Sequence, residues 1–256
     1  MIESLEYHIT DHCNLNCAGC SHFSPLAKPW FVDPDVFEKE WKEVAESGLE
    51  IRRIRILGGE PLLHPELGFM LKCVRCLFPT SDVNVVTNGI LLKQRKEELF
   101  PVFIRNNISL TISCYPGLNL NYEELLRGFP KVEMYNKAGF WNVSLHAKPD
   151  YPKEYFYECF SGSIAKCNFL KDGRIYPCCL IPNLPHFFEY FEETKNMELS
   201  KLLIEDAGIS VKDHTAKEIE IFLRKPSEFC AHCNVHKAVI AHPWKQTNYK
   251  IEEWMD

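Results

Sequence analysis

Three cysteines fall within eight residues near the N-terminus, in Cys13-Asn-Leu-Asn-Cys17-Ala-Gly-Cys20. Three thiolates can hold a [4Fe–4S] cube and leave one iron open to a ligand. A structural zinc site calls for a fourth ligand and a plain electron carrier for a fourth cysteine. His12 or His22 would complete a zinc site, so on residue types alone the open cluster, zinc and unrelated core thiols all remain readings.

The chain has twelve cysteines in 256 residues and begins MIESLEYHIT, without a basic stretch leading into an apolar one. A cytoplasmic location is expected, where thiols stay reduced and clustered cysteines point to metal or catalysis rather than to disulfides. Formal net charge is −6, and Lys and Arg are interspersed with Asp and Glu, so no nucleic-acid partner is expected. No apolar run approaches the roughly 18 residues of a membrane span. With 46% hydrophobic residues the chain can bury a real core.

The elements that must position these thiols follow from periodicity. Leu5 to Thr10 reads as a strand feeding the cysteine loop, and Asp33-Pro34 as a helix start with Phe37, Trp41, Val44 and Ala45 on one face. Ile51 to Leu57 is a strand stopping at Gly58-Gly59. A helix from Pro65 carries Cys73 and Cys76, read as packing thiols. Asp82 to Thr87 is a strand, Gln94 to Phe100 a helix, Ile108 to Cys114 a strand, Tyr122 to Arg127 a short helix and Val132 to Tyr135 a strand. This alternation implies an α/β fold with a parallel sheet, a full or partial barrel whose ligand lies at the C-terminal strand ends. From about Tyr151 the alternation stops. A hairpin turning at Asp172-Gly173 and a helix around Ala216 to Leu223 suggest a smaller unit, dividing the chain at 1–150 and 151–256.

In this order, Cys13-x3-Cys17-x2-Cys20, Gly58-Gly59-Glu60-Pro61 and Thr87-Asn88-Gly89, each after a strand, resemble the radical S-adenosylmethionine (SAM) superfamily over roughly the first 115 residues. The resemblance implies a partial (β/α)6 TIM-like barrel in which Cys13, Cys17 and Cys20 hold a SAM-binding [4Fe–4S] cluster. It implies that Gly58, Gly59 and Glu60 line the methionine amino group, where close backbone approach and a carboxylate suit an ammonium. Asn88 and Ser113 are candidates for the SAM ribose or carboxylate, although polar residues at strand ends also simply cap strands. Gly19 stands where the family often has an aromatic, which leaves adenine packing to another residue such as Phe23.

Cys159, Cys167, Cys178, Cys179, Cys230 and Cys233 resemble the twitch form of the SPASM extension, a β-hairpin plus helix holding one auxiliary [4Fe–4S] cluster. The favoured ligands are Cys159, Cys178, Cys230 and Cys233. A two-residue turn at Asp172-Gly173 puts Cys167 across from Cys178, making Cys167 a rival to Cys159. The alternative is zinc on Cys178 or Cys179, Cys230, Cys233 and His232 or His236.

The likeness extends to aminocyclitol dehydrogenases of butirosin biosynthesis and, through Cys20-Ser-His-Phe-Ser-Pro-Leu-Ala27, to short proteins associated with glycan assembly. It implies an oxidoreductase acting on a small molecule, a sugar or sugar nucleotide, served by a flavodoxin- or ferredoxin-type electron donor. A redox-neutral epimerase would use Cys114 as hydrogen donor, although Cys114 also reads as a buried small apolar residue. Peptide maturation and a non-enzymatic iron–sulfur or zinc protein are the other readings.

Overall fold

Strands of the first half of the chain alternate apolar and polar residues, and the fold uses both faces. The computed structural model describes residues 1–136, 139–141, 143–238 and 241–256. The chain runs through β1 (Ile2–His8), α1 (Pro34–Glu46), β2 (Ile51–Leu57), α2 (Leu67–Leu77), β3 (Asp82–Thr87), α3 (Leu92–Arg105), β4 (Ser109–Cys114), α4 (Tyr122–Leu126) and β5 (Val132–Asn136). Leu5, Tyr7, Ile54, Ile56, Val83, Val85, Leu110 and Ile112 form the main core with Phe37, Trp41 and Val44 of α1 and Met70, Leu71 and Val74 of α2. Ser4, Glu6, Arg53, Arg55, Asn84, Ser109, Thr111 and Ser113, at the intervening positions, face the opposite side of the sheet.

Local signals account for most boundaries. The Asp33 carboxylate accepts the Asp35 N–H at 2.8 Å and Pro34 opens α1. β1 begins at Ile2 rather than Leu5 because Ile2 is already paired with Ile51 of β2. Helix α3 continues through Pro101, which removes one helical hydrogen bond, because Leu99 and Phe103 on either side are fully buried. Cys73 packs against the core as expected, whereas Cys76 is exposed at the outer face of α2.

The remaining elements are β6 (Gly139–Trp141), β7 (Cys167–Lys171), β8 (Arg174–Tyr176), α5 (Leu180–Tyr190), β9 (Ile209–Ser210), α6 (Ala216–Phe222) and β10 (Ala241–Pro243). The expected α/β partial barrel is formed by a sheet ordered β5-β4-β3-β2-β1-β7-β8-β9, in which β1 to β5 and β7 run parallel. The sixth parallel strand is therefore the first strand of the hairpin, paired with the open side of β1 rather than following β5. Asp172 and Gly173 form the turn with φ of 52° and 69°, the pair of positive values that a two-residue hairpin turn requires. Strands β6 and β10 form a separate antiparallel pair. A second apolar cluster, including Phe23, Phe169, Phe187, Leu199 and Trp254, packs the C-terminal half beneath the cysteine loop. Among the described residues no helix is long and apolar enough to cross a membrane.

Candidate active site

The parallel sheet brings the ends of β1 to β4 to one edge, and the three sequence motifs meet there. Gly59 N–H donates to the Thr10 carbonyl at 2.9 Å and Glu60 N–H to the His12 carbonyl at 3.1 Å, so the segment after β2 lies directly on the segment after β1. A Cβ on Gly58 or Gly59 would stand 2.1 Å from the carbonyl oxygen of Thr10 or His12, which is why only glycine fits this approach. Asn88, after β3, donates to Asn14 Oδ1 at 2.7 Å and lies 3.8 Å from the Cys13 sulfur. Beneath the loop the buried Asp11 carboxylate meets His8 Nδ1 at 2.9 Å, His186 Nε2 at 3.0 Å and Lys171 Nζ at 3.4 Å. Burial alone would raise Asp11, but its hydrogen bonds with His186 and His8 and the charge of Lys171 hold it well below the usual carboxylate range.

Cys13, Cys17 and Cys20 line a cavity of about 650 Å³ together with Gly58, Gly59 and Asn88. Burial raises the Cys13 thiol, and the Glu60 carboxylate and the other two loop thiols raise it further. Cys20 is likewise raised by burial. Thiols in this setting ionise readily only when a metal supplies the missing positive charge.

The donor set fits an open cluster better than zinc. His12 Nδ1 is engaged with the Thr10 hydroxyl at 2.7 Å, and His22 Nδ1 faces the Gly58 carbonyl at 3.3 Å. Burial and then the His8 ring push His22 down to about 3, so its imidazole is neutral. One zinc ion holds its sulfur ligands within about 4 Å of one another. Among the described residues, the one trio of His, Cys, Asp or Glu ligand atoms gathered within 4.8 Å is Glu6, His22 and Cys179, which contains none of the loop cysteines. A four-iron cube, with thiolates farther apart and no fourth protein ligand, suits the loop.

The same cavity is lined by Cys159, its rival Cys167, Cys178, Cys179, Cys230 and Cys233. Burial raises the Cys233 thiol well above the usual range, followed by the charges of Cys178, Cys159 and Cys230, which puts these three within electrostatic reach of Cys233. Cys167 is raised by burial and then by Glu6, and it also feels Cys178. The hairpin register is the expected one, Phe169 opposite Tyr176 and Lys171 opposite Arg174, and although β8 ends at Tyr176, Cys178 and Cys167 line the same cavity within electrostatic reach of each other. His232 Nδ1 is taken by the His146 carbonyl at 2.9 Å, and His236 lies 3.7 Å from Glu158.

Three sequence expectations need correction. Cys114 does not reach the cavity: Thr111 and Ser113 line it, so strand alternation turns Cys114 to the other face, against the core and within hydrogen-bond reach of Tyr122. Phe23 is fully buried, 5.7 Å from the Phe187 ring, and cannot offer a face to a ligand. The Glu60 carboxylate turns inward and accepts from Leu62 N–H at 3.0 Å, the Thr87 hydroxyl at 2.6 Å and Asn88 N–H at 2.9 Å, tying β2 to β3. It is Gly58 and Gly59 that line the cavity.

Glu6 and Arg55 escaped the sequence reading. Both line the cavity, and Arg55 Nη1 donates to Glu6 Oε1 at 2.7 Å. The available signal was parity: Glu6, Arg55, Thr111 and Ser113 all sit on the polar phase of their strands.

Residues 7–127 match the Radical SAM superfamily model. GTP 3′,8-cyclase of Staphylococcus aureus (strain Mu3 / ATCC 700698) is 32% identical over 117 residues, 43% of this chain and 34% of the cyclase. The chain thus matches about a third of the length of its curated relatives. The crystal structure of BtrN in complex with AdoMet and 2-DOIA superimposes with a TM-score of 0.57 at 16% identity, covering 91% of this chain and 93% of that one. BtrN in an open conformation gives 0.50 at 16% identity, with 91% and 92% covered. Residues 7–127, just under half of the chain, are thus similar to the Radical SAM superfamily, and the fold is shared with BtrN over nearly the whole chain.

Proposed function

We propose that the chain oxidises a sugar-like alcohol to a ketone by radical SAM chemistry, with a second [4Fe–4S] cluster as electron acceptor. When bound, SAM and its cluster would supply a 5′-deoxyadenosyl radical that takes hydrogen from a carbinol carbon, and the second cluster would receive the remaining electron. Cys13, Cys17 and Cys20 would hold the first cluster, and Gly58 and Gly59 would present backbone to SAM, with Asn88 and Ser113 as polar neighbours. Cys159, Cys178, Cys230 and Cys233 would hold the second, in a twitch-like C-terminal unit. A closed four-thiol set suits electron transfer rather than substrate ligation.

The observation that carries this reading is that both thiol sets share one cavity with Glu6, Arg55, Thr111 and Ser113. A hydroxyl- or amine-bearing substrate matches these donors and acceptors. Glu6 is the carboxylate suited to take the hydroxyl proton, with Arg55 fixing its orientation. Among the described lining residues Arg55 is the one Lys or Arg, and Glu6 neutralises it. Such a cavity suits a neutral or singly charged substrate better than a nucleoside triphosphate, which favours alcohol oxidation over the reaction named for the staphylococcal cyclase. Cys114, packed outside the cavity, lends no support to epimerisation. The reductant would be a flavodoxin- or ferredoxin-type protein.

The test is anaerobic reconstitution with iron and sulfide, followed by reduction with SAM and a panel of aminocyclitols and sugars that includes 2-DOIA. The reading expects about eight irons per chain, two cubes, and ketone formed in step with 5′-deoxyadenosine. Zinc in place of iron, or no cleavage of SAM, would overturn it.

A further inference from the structure

The C-terminal tail, aperiodic in sequence, closes on the cysteine loop. Ala18 N–H donates to the Lys245 carbonyl at 3.1 Å and Thr247 N–H to the Asn16 carbonyl at 2.8 Å, on either side of an antiparallel bridge between Cys17 and Gln246. This pairing delivers the Trp244 indole, whose Nε1–H donates to the Cys17 sulfur at 3.1 Å. The Tyr115 ring lies 5.6 Å from Trp244, and its hydroxyl is within hydrogen-bond reach of Cys17. The other two loop sulfurs are served mainly from nearby backbone, Cys13 by Leu15 N–H at 3.3 Å and Cys20 by the N–H groups of residues 22 to 24. Cys17 is buried, so its partners stand in a dry setting, where hydrogen bonds weigh more.

We infer that Trp244, with Tyr115, is a positioning residue of the SAM-binding cluster: its indole N–H donates to the Cys17 thiolate and raises the cluster's reduction potential. The inference rests on the reading of Cys17 as a cluster ligand. Reduction places more negative charge on the cluster sulfurs, so a fixed donor favours the reduced form. Hydrogen bonds to sulfur are a recognised determinant of cluster potential. Loss of one charge-assisted bond should disfavour reduction about tenfold, which for a single electron is about 59 mV. The tail would thereby ease the electron entry on which cleavage of SAM depends.

The test uses the full chain, reconstituted anaerobically and titrated electrochemically with EPR detection. The relevant cluster is the one whose signal changes when SAM is added. Trp244→Phe is expected to keep the wild-type iron content, to lower that midpoint by about 59 mV and to raise the Fe–S(Cys) stretching frequency in resonance Raman spectra. Tyr115→Phe is expected to shift both in the same direction without disturbing the tail. Full iron with unchanged potential and frequency in Trp244→Phe would overturn the inference. If Trp244→Phe fails to load, Tyr115→Phe decides by the same two readouts. A wild-type chain that takes up no SAM-responsive cluster would instead refute the assignment of Cys17 as ligand.

Discussion

Replacing Glu60 by Gln should change stability in a pH-dependent way whose sign the structure fixes. The side chain is fully buried and accepts from Leu62, Thr87 and Asn88. Burial nonetheless pushes it from its ordinary 4.5 up to about 7, the hydrogen bonds offsetting only part of the lost hydration. In the unfolded chain Glu60 releases its proton near 4.5, and in the folded protein near 7. Between these values the native state holds a proton that the unfolded state has lost, so stability falls as pH rises and levels off above about 7. At about 1.4 kcal/mol for each tenfold in proton affinity, the loss across the window is about 3 kcal/mol. Gln does not titrate. Its amide turns a donor toward the Asn88 N–H, at a cost of about 1 kcal/mol relative to the protonated acid. Wild type has already lost about 1 kcal/mol of this at pH 5, so urea unfolding of the reduced apoprotein should find Glu60→Gln close to wild type at pH 5 and about 2 kcal/mol more stable at pH 8. Other groups titrate alike in both proteins and cancel. A cost that is equal at the two pH values, or larger at pH 8, would refute the account of Glu60 as a carboxylate destabilised by burial.

Other expectations follow from the same geometry. Gly59→Ala drives a methyl to 2.1 Å from the His12 carbonyl oxygen, so the apoprotein should lose about 3 kcal/mol in denaturant unfolding and load less iron. Asp11→Asn removes the anion shared by His8, His186 and Lys171 beneath the loop, at a cost of about 3 kcal/mol or a melting temperature lower by about 10 °C; a change within 2 °C would sink the idea that this network anchors the loop. Cys233→Ala should halve the reconstituted iron while cleavage of SAM persists, and full iron content would remove Cys233 from the second ligand set. Glu6→Gln should keep forming 5′-deoxyadenosine while ketone falls at least about a hundredfold, and ketone at the wild-type rate would exclude Glu6 as the proton acceptor.

What could be read from the sequence was whatever local periodicity and one topological rule control. The alternation Ile51 to Leu57 gives a strand because its apolar phase, Ile54 and Ile56, must be buried, and Asp33-Pro34 starts a helix by satisfying its first N–H groups. A parallel sheet sends every C-terminal strand end to the same edge, so motifs after β1, β2 and β3 meet without any long-range contact being known. The illegible part depends on contacts far apart in sequence. Nothing local in residues 167–171 says that β7 completes the sheet beside β1, and nothing in an aperiodic tail places Trp244 on Cys17. Cys114 shows a third kind of failure, in which the element is right and the parity wrong. Strand β4 ends where it was expected to, yet side chains alternate, so Ser113 looks into the cavity and Cys114 into the core beside it. The same parity, applied across β1, β2 and β4 together, would have singled out Glu6, Arg55, Thr111 and Ser113 as one lining. A strand-end residue is therefore a pointer to the site only when its phase agrees with the polar phase of its neighbours.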